Sequence, residues 1–310
     1  MYEILGMSVN LDKIINPVAD LFIKCSLKLH PNQAIVMIDG GVCSQIHQWR
    51  IGEALRQRNV RVEYDISWFD EYGKDINGVF ERNFDLLKTF PDLPFKRAGA
   101  RKIAYFKKHF SYEESDGGFF TDADMPKYFG GYAPSYHKNL PPFDRTIPTS
   151  ILDAQNLEIA TRIRHDAHPI GIHVRRGDMA VSKHYWRVTP VQYFVNAVKY
   201  FVKEYPDSTF YFFSDEPQWV MDNILPALKQ LENRCYVMTQ NGSDKGYMDL
   251  ALLSYCAHFV ASQGSLAHYA NMLNHNPDKI LIIPEIPGQA EIKIIRNFNN
   301  DVALQKSTPL

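Results

Sequence analysis

The stretch Gly171-Ile172-His173-Val174-Arg175-Arg176-Gly177-Asp178 sets two adjacent guanidinium groups, a glycine and a carboxylate directly after an apolar run. Arginine presents a planar fork of donors that matches phosphate oxygens and keeps its charge at any working pH. A departing diphosphate needs such a charge as its bond breaks. Residues leaving a strand point alternately to opposite sides. One arginine is therefore expected to face a diphosphate while the other anchors the loop, with Asp178 as a partner. A plain surface ion-pair cluster is the bland reading of the same residues. A second turn, Asp39-Gly40-Gly41, joins the apolar run 34–38 to a helical pattern over about 45–57. Strand, glycine turn and helix in that order would place backbone N–H groups near Gly40 and Gly41 beside a ligand.

These residues need strands to carry them, and the second half of the chain supplies a regular series. Residues 170–174, 209–213, 235–238, 258–261 and 279–283 read as strands. Helical patterns lie between them at 191–203, 218–231 (with a kink expected at Pro226), 247–255 and 265–273. Such alternation predicts a parallel sheet with helices on both faces, with ligands beyond the C-terminal strand ends. Residues 65–150 are aromatic and turn-rich instead, and short helices with long loops are expected there.

Bulk composition sets outer limits. The 310 residues suit two domains, with 45% hydrophobic and 22% charged residues, the profile of a globular protein. A net charge of −1 without a basic stripe argues against a nucleic-acid partner. Cys25, Cys43, Cys235 and Cys256 show no paired spacing, so neither a disulfide framework nor a zinc site is expected. No signal-like or membrane-spanning run is visible, which points to a cytoplasmic bacterial protein with at most peripheral contact at the inner face of the membrane.

Taken in order along the chain, the motifs resemble those of the α-1,2-fucosyltransferase family (glycosyltransferase family 11-like) and its α-1,6 and protein O-fucosyltransferase relatives. The arginine stretch is similar to the family's first C-terminal motif. Gly40-Gly41-Val42-Cys43-Ser44-Gln45-Ile46-His47-Gln48-Trp49 resembles its N-terminal loop, and Gly130-Gly131-Tyr132 a short aromatic segment. Phe213-Ser214-Asp215-Glu216-Pro217-Gln218-Trp219 and the run from Tyr247 to His258 are similar to its second and third C-terminal motifs. The resemblance covers residues 34–284. It implies an α/β fold of the GT-B type, two Rossmann-like domains facing a cleft. We place residues 1–165 in an acceptor-side domain and 166–310 in the GDP-fucose-binding domain, the last residues packing back on the first.

The same resemblance implies an inverting transfer of L-fucose from GDP-β-L-fucose, without metal or other cofactor. The acceptor would be a galactose-containing oligosaccharide or lipid-linked glycan, joined in α-1,2 linkage during O-antigen-type lipopolysaccharide synthesis. Arg175 would grip the β-phosphate and His173 seat the nucleotide, with Arg176 and Ser214 in the same loops. Asp215 would pair with guanine, unless it is only a helix N-cap. Ser262, Gln263 and Ser265 would lie near the phosphates, with Ser265 as a plain cap the alternative. Two departures stand out: Cys43-Ser44 replaces a Gly-Asn pair, and Ala267-His268-Tyr269 replaces a tryptophan pair. Ser44 thus occupies the position of an asparagine that lies close to the breaking bond in related enzymes. A different linkage, or a GDP-sugar-binding protein with little turnover, is the alternative these departures leave open. For the general base, Asp178 comes first and Asp39 second, with His47 behind them. Asp122-Ala123-Asp124 imitates a metal-binding carboxylate pair but follows no apolar strand, and reads as a solvated turn. Phe119, Phe120, Tyr128, Phe129, Tyr132 and Tyr136 could stack on acceptor sugars or simply fill a core.

Overall fold

The computed structural model describes residues 3–4, 7–8, 11–74, 78, 80–112, 124–130, 140–181 and 188–296, the side chains of 3–4, 7–8, 11–16, 178 and 181 excepted. The chain divides into two compact units. The first comprises Met1–Asp39, Ile46–Tyr72 and Pro94–Pro141, and the second Gly40–Gln45, Gly73–Leu93 and Pro142–Leu310.

In the first unit, helix α1 (Leu11–Leu29) leads to strand β1 (Gln33–Met37), helix α2 (Val42–Arg56, whose first turn belongs to the second unit) and strand β2 (Arg61–Asp65). Helix α3 (Ala100–His109) and strand β3 (Lys127–Phe129) follow. The three strands are parallel in the order β2-β1-β3, with Ala34 opposite both Val62 and Lys127. Ile35, Ala98, Ile103, Phe106 and Tyr128 form a core against which Ile23 and Leu27 of α1 pack. Tyr128 belongs to this core and donates to Asp65 Oδ2 at 2.8 Å, and Phe129 is buried as well. Both are therefore structural, and the other proposed groove aromatics lie outside the described residues.

The second unit carries helix α4 (Ala154–His165), strand β4 (Pro169–Val174) and the short helix α5 (Gly177–Val181). Helix α6 (Val191–Glu204), strand β5 (Thr209–Ser214) and strand β6 (Cys235–Val237) come next. Helix α7 (Gly246–Ser254), strand β7 (His258–Ala261), helix α8 (Leu266–Leu273) and strands β8 (Ile280–Pro284) and β9 (Ile292–Arg296) complete it. The sheet order is β9-β8-β7-β4-β5-β6, parallel except for the edge strand β9. Strand β4 is buried along its whole length, as the middle of a two-faced sheet requires. Parallel α/β architecture in each unit is what each half of a GT-B protein needs.

Beside the expected division at 165/166, the second compact unit takes Pro142–Leu310 together with Gly40–Gln45 and Gly73–Leu93, and α4 is tied to it: Asn156 donates to Asn241 Oδ1 at 3.0 Å and accepts from Gln240 at 2.9 Å. The expected helix over 218–231 is broken into a short α-turn, a wider π-turn at Val220–Ile224 and a 3-10 segment from Leu225, with Leu228 off helical geometry. Pro226 supplies no N–H to that ladder. The region 65–150, expected to hold short helices and long loops, has short helices at Ser67–Glu71, Leu86–Thr89 and α3 among its described residues, and also strand β3, which was not expected. The expected packing of the last residues onto the first domain lies outside the described residues.

Candidate functional site

Strands β5, β4 and β7 run parallel, so their C-terminal ends share one edge of the sheet, with Val174 opposite Ser214 and His173 opposite Ala261. Three loops leave this edge: Arg175–Arg176, Asp215–Glu216 and Ser262–Ser265. They are fastened by hydroxyl groups. Ser214 Oγ donates to Val174 O at 2.8 Å and accepts from Glu216 N at 3.0 Å. Ser262 Oγ accepts from Arg175 N at 2.8 Å. Ser214 and Ser262 thus hold the loops in register.

The two arginines diverge, as alternation predicts. Arg176 donates through Nε to Glu216 at 3.1 Å and lies 3.8 Å over the Trp219 ring, so Glu216 and Trp219 anchor it. The expected anchor, Asp178, sits in α5, and its side chain lies outside the described set. Arg175 donates through Nη1 to Asp215 Oδ2 at 2.7 Å, while Asp215 Oδ1 accepts from Arg176 N at 3.0 Å. Asp215 does not cap the helix that follows: Glu216 occupies the cap position, without a side-chain bond. Its carboxylate instead clamps the arginine loop, and both oxygens are engaged there.

Gly177 shows how tightly this loop is built. A Cβ at this position would lie 2.5 Å from Asp215 Oδ2 and 2.7 Å from Phe80 Cε2, distances that real Cβ contacts do not reach. Phe80 therefore packs on the loop, and the Arg175 guanidinium lies 5.7 Å from its ring centroid. Arg82 also lies 5.7 Å from that centroid, so one ring meets two cations. Neither Phe80 nor Arg82 belongs to a motif, and only the fold brings them here.

Gly264 adopts φ +105°, a left-handed conformation open to glycine, and its Cα side faces His173 and Arg175. It leads through Ser265 into α8. Ser265 occupies the cap position without a capping bond; its hydroxyl meets the Cys43 thiol. Burial pushes that thiol up to about 12, and the Ser265 contact partly offsets the rise. Gln263 is half-buried beside them. The first turn of α2 thereby joins this edge: Gly40 O accepts from Gln45 Nε2 at 3.0 Å, and a Cβ on Gly40 would lie 3.2 Å from Ser44 Oγ. Gly41 has open space where a Cβ would stand. Gln45 Oε1 also accepts from Asp85 N and Leu86 N at 2.9 Å each, a fastening role the sequence did not reveal.

Buried polar atoms gather behind the edge. His173 Nδ1, His268 Nδ1 and both amide atoms of Asn271 have no partner among the described residues. Burial, with Arg175 and His268 adding, lowers the His173 pKa to about 3, and burial lowers that of His268 to about 4. Both rings are therefore neutral at pH 7, each with one N–H to donate. At the β6 side, Asn241 donates to Asp249 Oδ1 at 2.7 Å, and burial raises Asp249 to about 7. Perturbed groups of this kind concentrate at working sites. Asp39, in the first unit, is raised by burial and partly offset by Gln48, which donates to it at 2.5 Å. His47 is fully buried in α2. Among the described residues no three His, Cys, Asp or Glu side chains gather to hold a metal ion. Asp122 and Ala123 lie outside the described residues. No described helix is long and apolar enough to cross a membrane.

A fixed guanidinium, the amino end of a buried helix, a left-handed glycine and a buried neutral histidine make a cradle for an anionic group. Comparison with known proteins adds the family. The model for glycosyl transferase family 11 matches residues 106–299. An O-antigen biosynthesis glycosyltransferase, WbnK of Escherichia coli, is 23% identical over 125 residues, 39% of this chain and 40% of that protein. The chain thus spans about 40% of the length of that curated relative. The fucosyltransferase NodZ from Bradyrhizobium aligns at a TM-score of 0.49 and 15% identity, over 86% of this chain and 99% of NodZ. Arabidopsis thaliana FUT1 in complex with GDP aligns at 0.43 and 14% identity, over 89% of this chain and 78% of FUT1.

Proposed function

The chain belongs to glycosyl transferase family 11, and from that premise we propose that it transfers L-fucose from GDP-β-L-fucose to a hydroxyl of a galactoside. The observation that carries this reading is the Arg175 loop, clamped by Asp215 beside Gly264 and the amino end of α8. In the proposed reaction, the acceptor hydroxyl attacks C1 of the fucose from the face opposite the diphosphate. The C1–O bond breaks, configuration inverts, and GDP leaves with its new charge stabilised by Arg175 and the nearby amides. His173 donates its one N–H to the nucleotide. No metal is assigned a role.

Since both oxygens of Asp215 hold the arginine loop, we assign Asp215 to positioning Arg175 rather than to guanine. Asp249 is then the carboxylate proposed to meet the N1–H and N2 donors of the base. Asp178 remains the first candidate for the base that takes the acceptor's proton and Asp39 the second. The α-1,2 linkage, a lipid-linked or oligosaccharide acceptor, O-antigen-type synthesis and a place at the cytoplasmic face of a bacterial membrane belong to the same proposal. E. coli WbnK, an O-antigen biosynthesis glycosyltransferase by name, supports that setting. Ser44, standing where related enzymes have an asparagine, favours a second reading, a donor-binding protein with slow turnover.

Incubation with GDP-fucose and a panel of galactosides, with product linkage read by NMR, tests the proposal. An α-1,2-fucosylated product supports it in full. Hydrolysis or transfer from another nucleotide sugar alone would overturn it, and tight GDP binding without turnover would favour the second reading.

A further inference from the structure

Helix α1 turns one apolar edge inward and another outward. Ile23 and Leu27 pack on the core of the first unit, and Asp20 on the same side is held by Arg101 at 2.6 and 2.9 Å. On the opposite side Val18, Leu21, Phe22, Cys25 and Leu29 fall on one stripe, roughly 100° wide at the helical period. Leu21 is 61% exposed, Phe22 72% and Leu29 75%, and Cys25 is exposed too. Single apolar side chains at a surface need no explanation, but five on one stripe do. A helix that is apolar on two faces calls for cover on both.

The border of the stripe identifies the cover. Lys24 and Lys28, both exposed, flank it on one side, and Ala19 and Ser26 on the other. Asp20, the acid of the segment 18–29, is turned inward and neutralised. Arg101, Lys102 and Lys107 of the neighbouring α3 are paired with Asp20, Glu63 and Asp65, so the charge along the stripe itself comes from Lys24 and Lys28, in a chain of net charge −1. Large apolar side chains edged by lysines suit a bilayer surface, where the lysine stems lie along the apolar layer and the ammonium groups meet phosphates. In a second copy of the segment 18–29 the one acid, Asp20, is already held by Arg101, and Leu21 widens the stripe beyond a two-position coiled-coil seam. We propose that α1 docks the protein on an anionic lipid surface, with Leu21, Phe22 and Leu29 among the acyl chains and Lys24 and Lys28 on the headgroups.

Cosedimentation of the full chain with vesicles tests this, using phosphatidylcholine alone and an equimolar mixture with phosphatidylglycerol. The wild type should bind the anionic vesicles at least about tenfold more tightly, with salt weakening the preference. Leu21→Ser with Phe22→Ser should lose at least about tenfold in affinity at an unchanged melting temperature, since both side chains are outside the core. Lys24→Gln with Lys28→Gln should level the preference between the two vesicles. Wild-type protein left in the supernatant, or a serine variant that binds as tightly, would overturn the proposal. So would a stripe-dependent dimer that ignores both vesicles, which would assign the stripe to a second copy.

Discussion

Replacing Gly177 with alanine inserts one methyl group where the structure has no room for it. Its Cβ would stand 2.5 Å from Asp215 Oδ2, 2.7 Å from Phe80 Cε2 and 2.8 Å from Phe80 Cζ. Overpacking of that severity costs about 3 kcal/mol, the upper part of the usual range. Alanine's better helix propensity returns at most about 1 kcal/mol. The net expectation is a loss of about 2 kcal/mol in urea unfolding, with m unchanged. The binding effect follows from the neighbours that must move, since Asp215 and Phe80 orient Arg175. A misplaced charged hydrogen bond is worth about 1.5–3 kcal/mol, so GDP affinity should fall between roughly tenfold and a hundredfold. Calorimetric titration of the folded variant reads this directly. Gly41→Ala is the control, because its Cβ meets nothing within 4 Å and stability should hold. A folded Gly177→Ala protein with wild-type GDP affinity would refute the argument that this contact positions Arg175.

His173 and His268 have folded pKa values of about 3 and about 4 against 6.5 unfolded, and buried His258 is also near 4. The unfolded chain therefore binds more protons between about pH 4 and 6.5, and stability is lost as pH falls through that window. At pH 5 a fully buried neutral histidine removes up to about 2 kcal/mol, so the melting temperature should fall between pH 7 and pH 5; a flat profile would contradict their burial. A double-mutant cycle of Arg175→Met and Asp215→Asn should show coupling of about 1–3 kcal/mol in urea unfolding, and additivity would mean the ion pair contributes nothing. Ser44→Asn, restoring the amide of related enzymes, should raise kcat with little change in donor KM; an unchanged kcat would separate Ser44 from the reacting bond.

The sequence exposed most of the second unit because its strands are short apolar runs punctuated by glycine and polar turns. Strands β4, β5, β7 and β8 appear within one residue of their expected ends. Helix α1 was illegible because Pro17 interrupts it and its apolar residues occupy two faces, which blurs a single helical stripe. Strand β9 was missed because its side chains are half-buried or exposed, so no clear alternation marks it. Within the site, the arginine loop and its divergence were readable from alternation along a strand. The clamp of Asp215 on the arginine loop was not legible because a carboxylate after a strand looks alike whether it faces a base or a guanidinium. Phe80 and Arg82 were invisible because no local pattern says where residues 73–93 settle.

The central claim is that the Arg175 loop binds a guanosine diphosphate. Calorimetric titration of wild type and Arg175→Ala with GDP and UDP, without added metal, tests it most directly. The account predicts GDP binding by the wild type, negligible UDP binding, and a loss of at least about tenfold for GDP in a variant that remains folded. Equal GDP affinity in both proteins, or a wild type that ignores GDP, would contradict it.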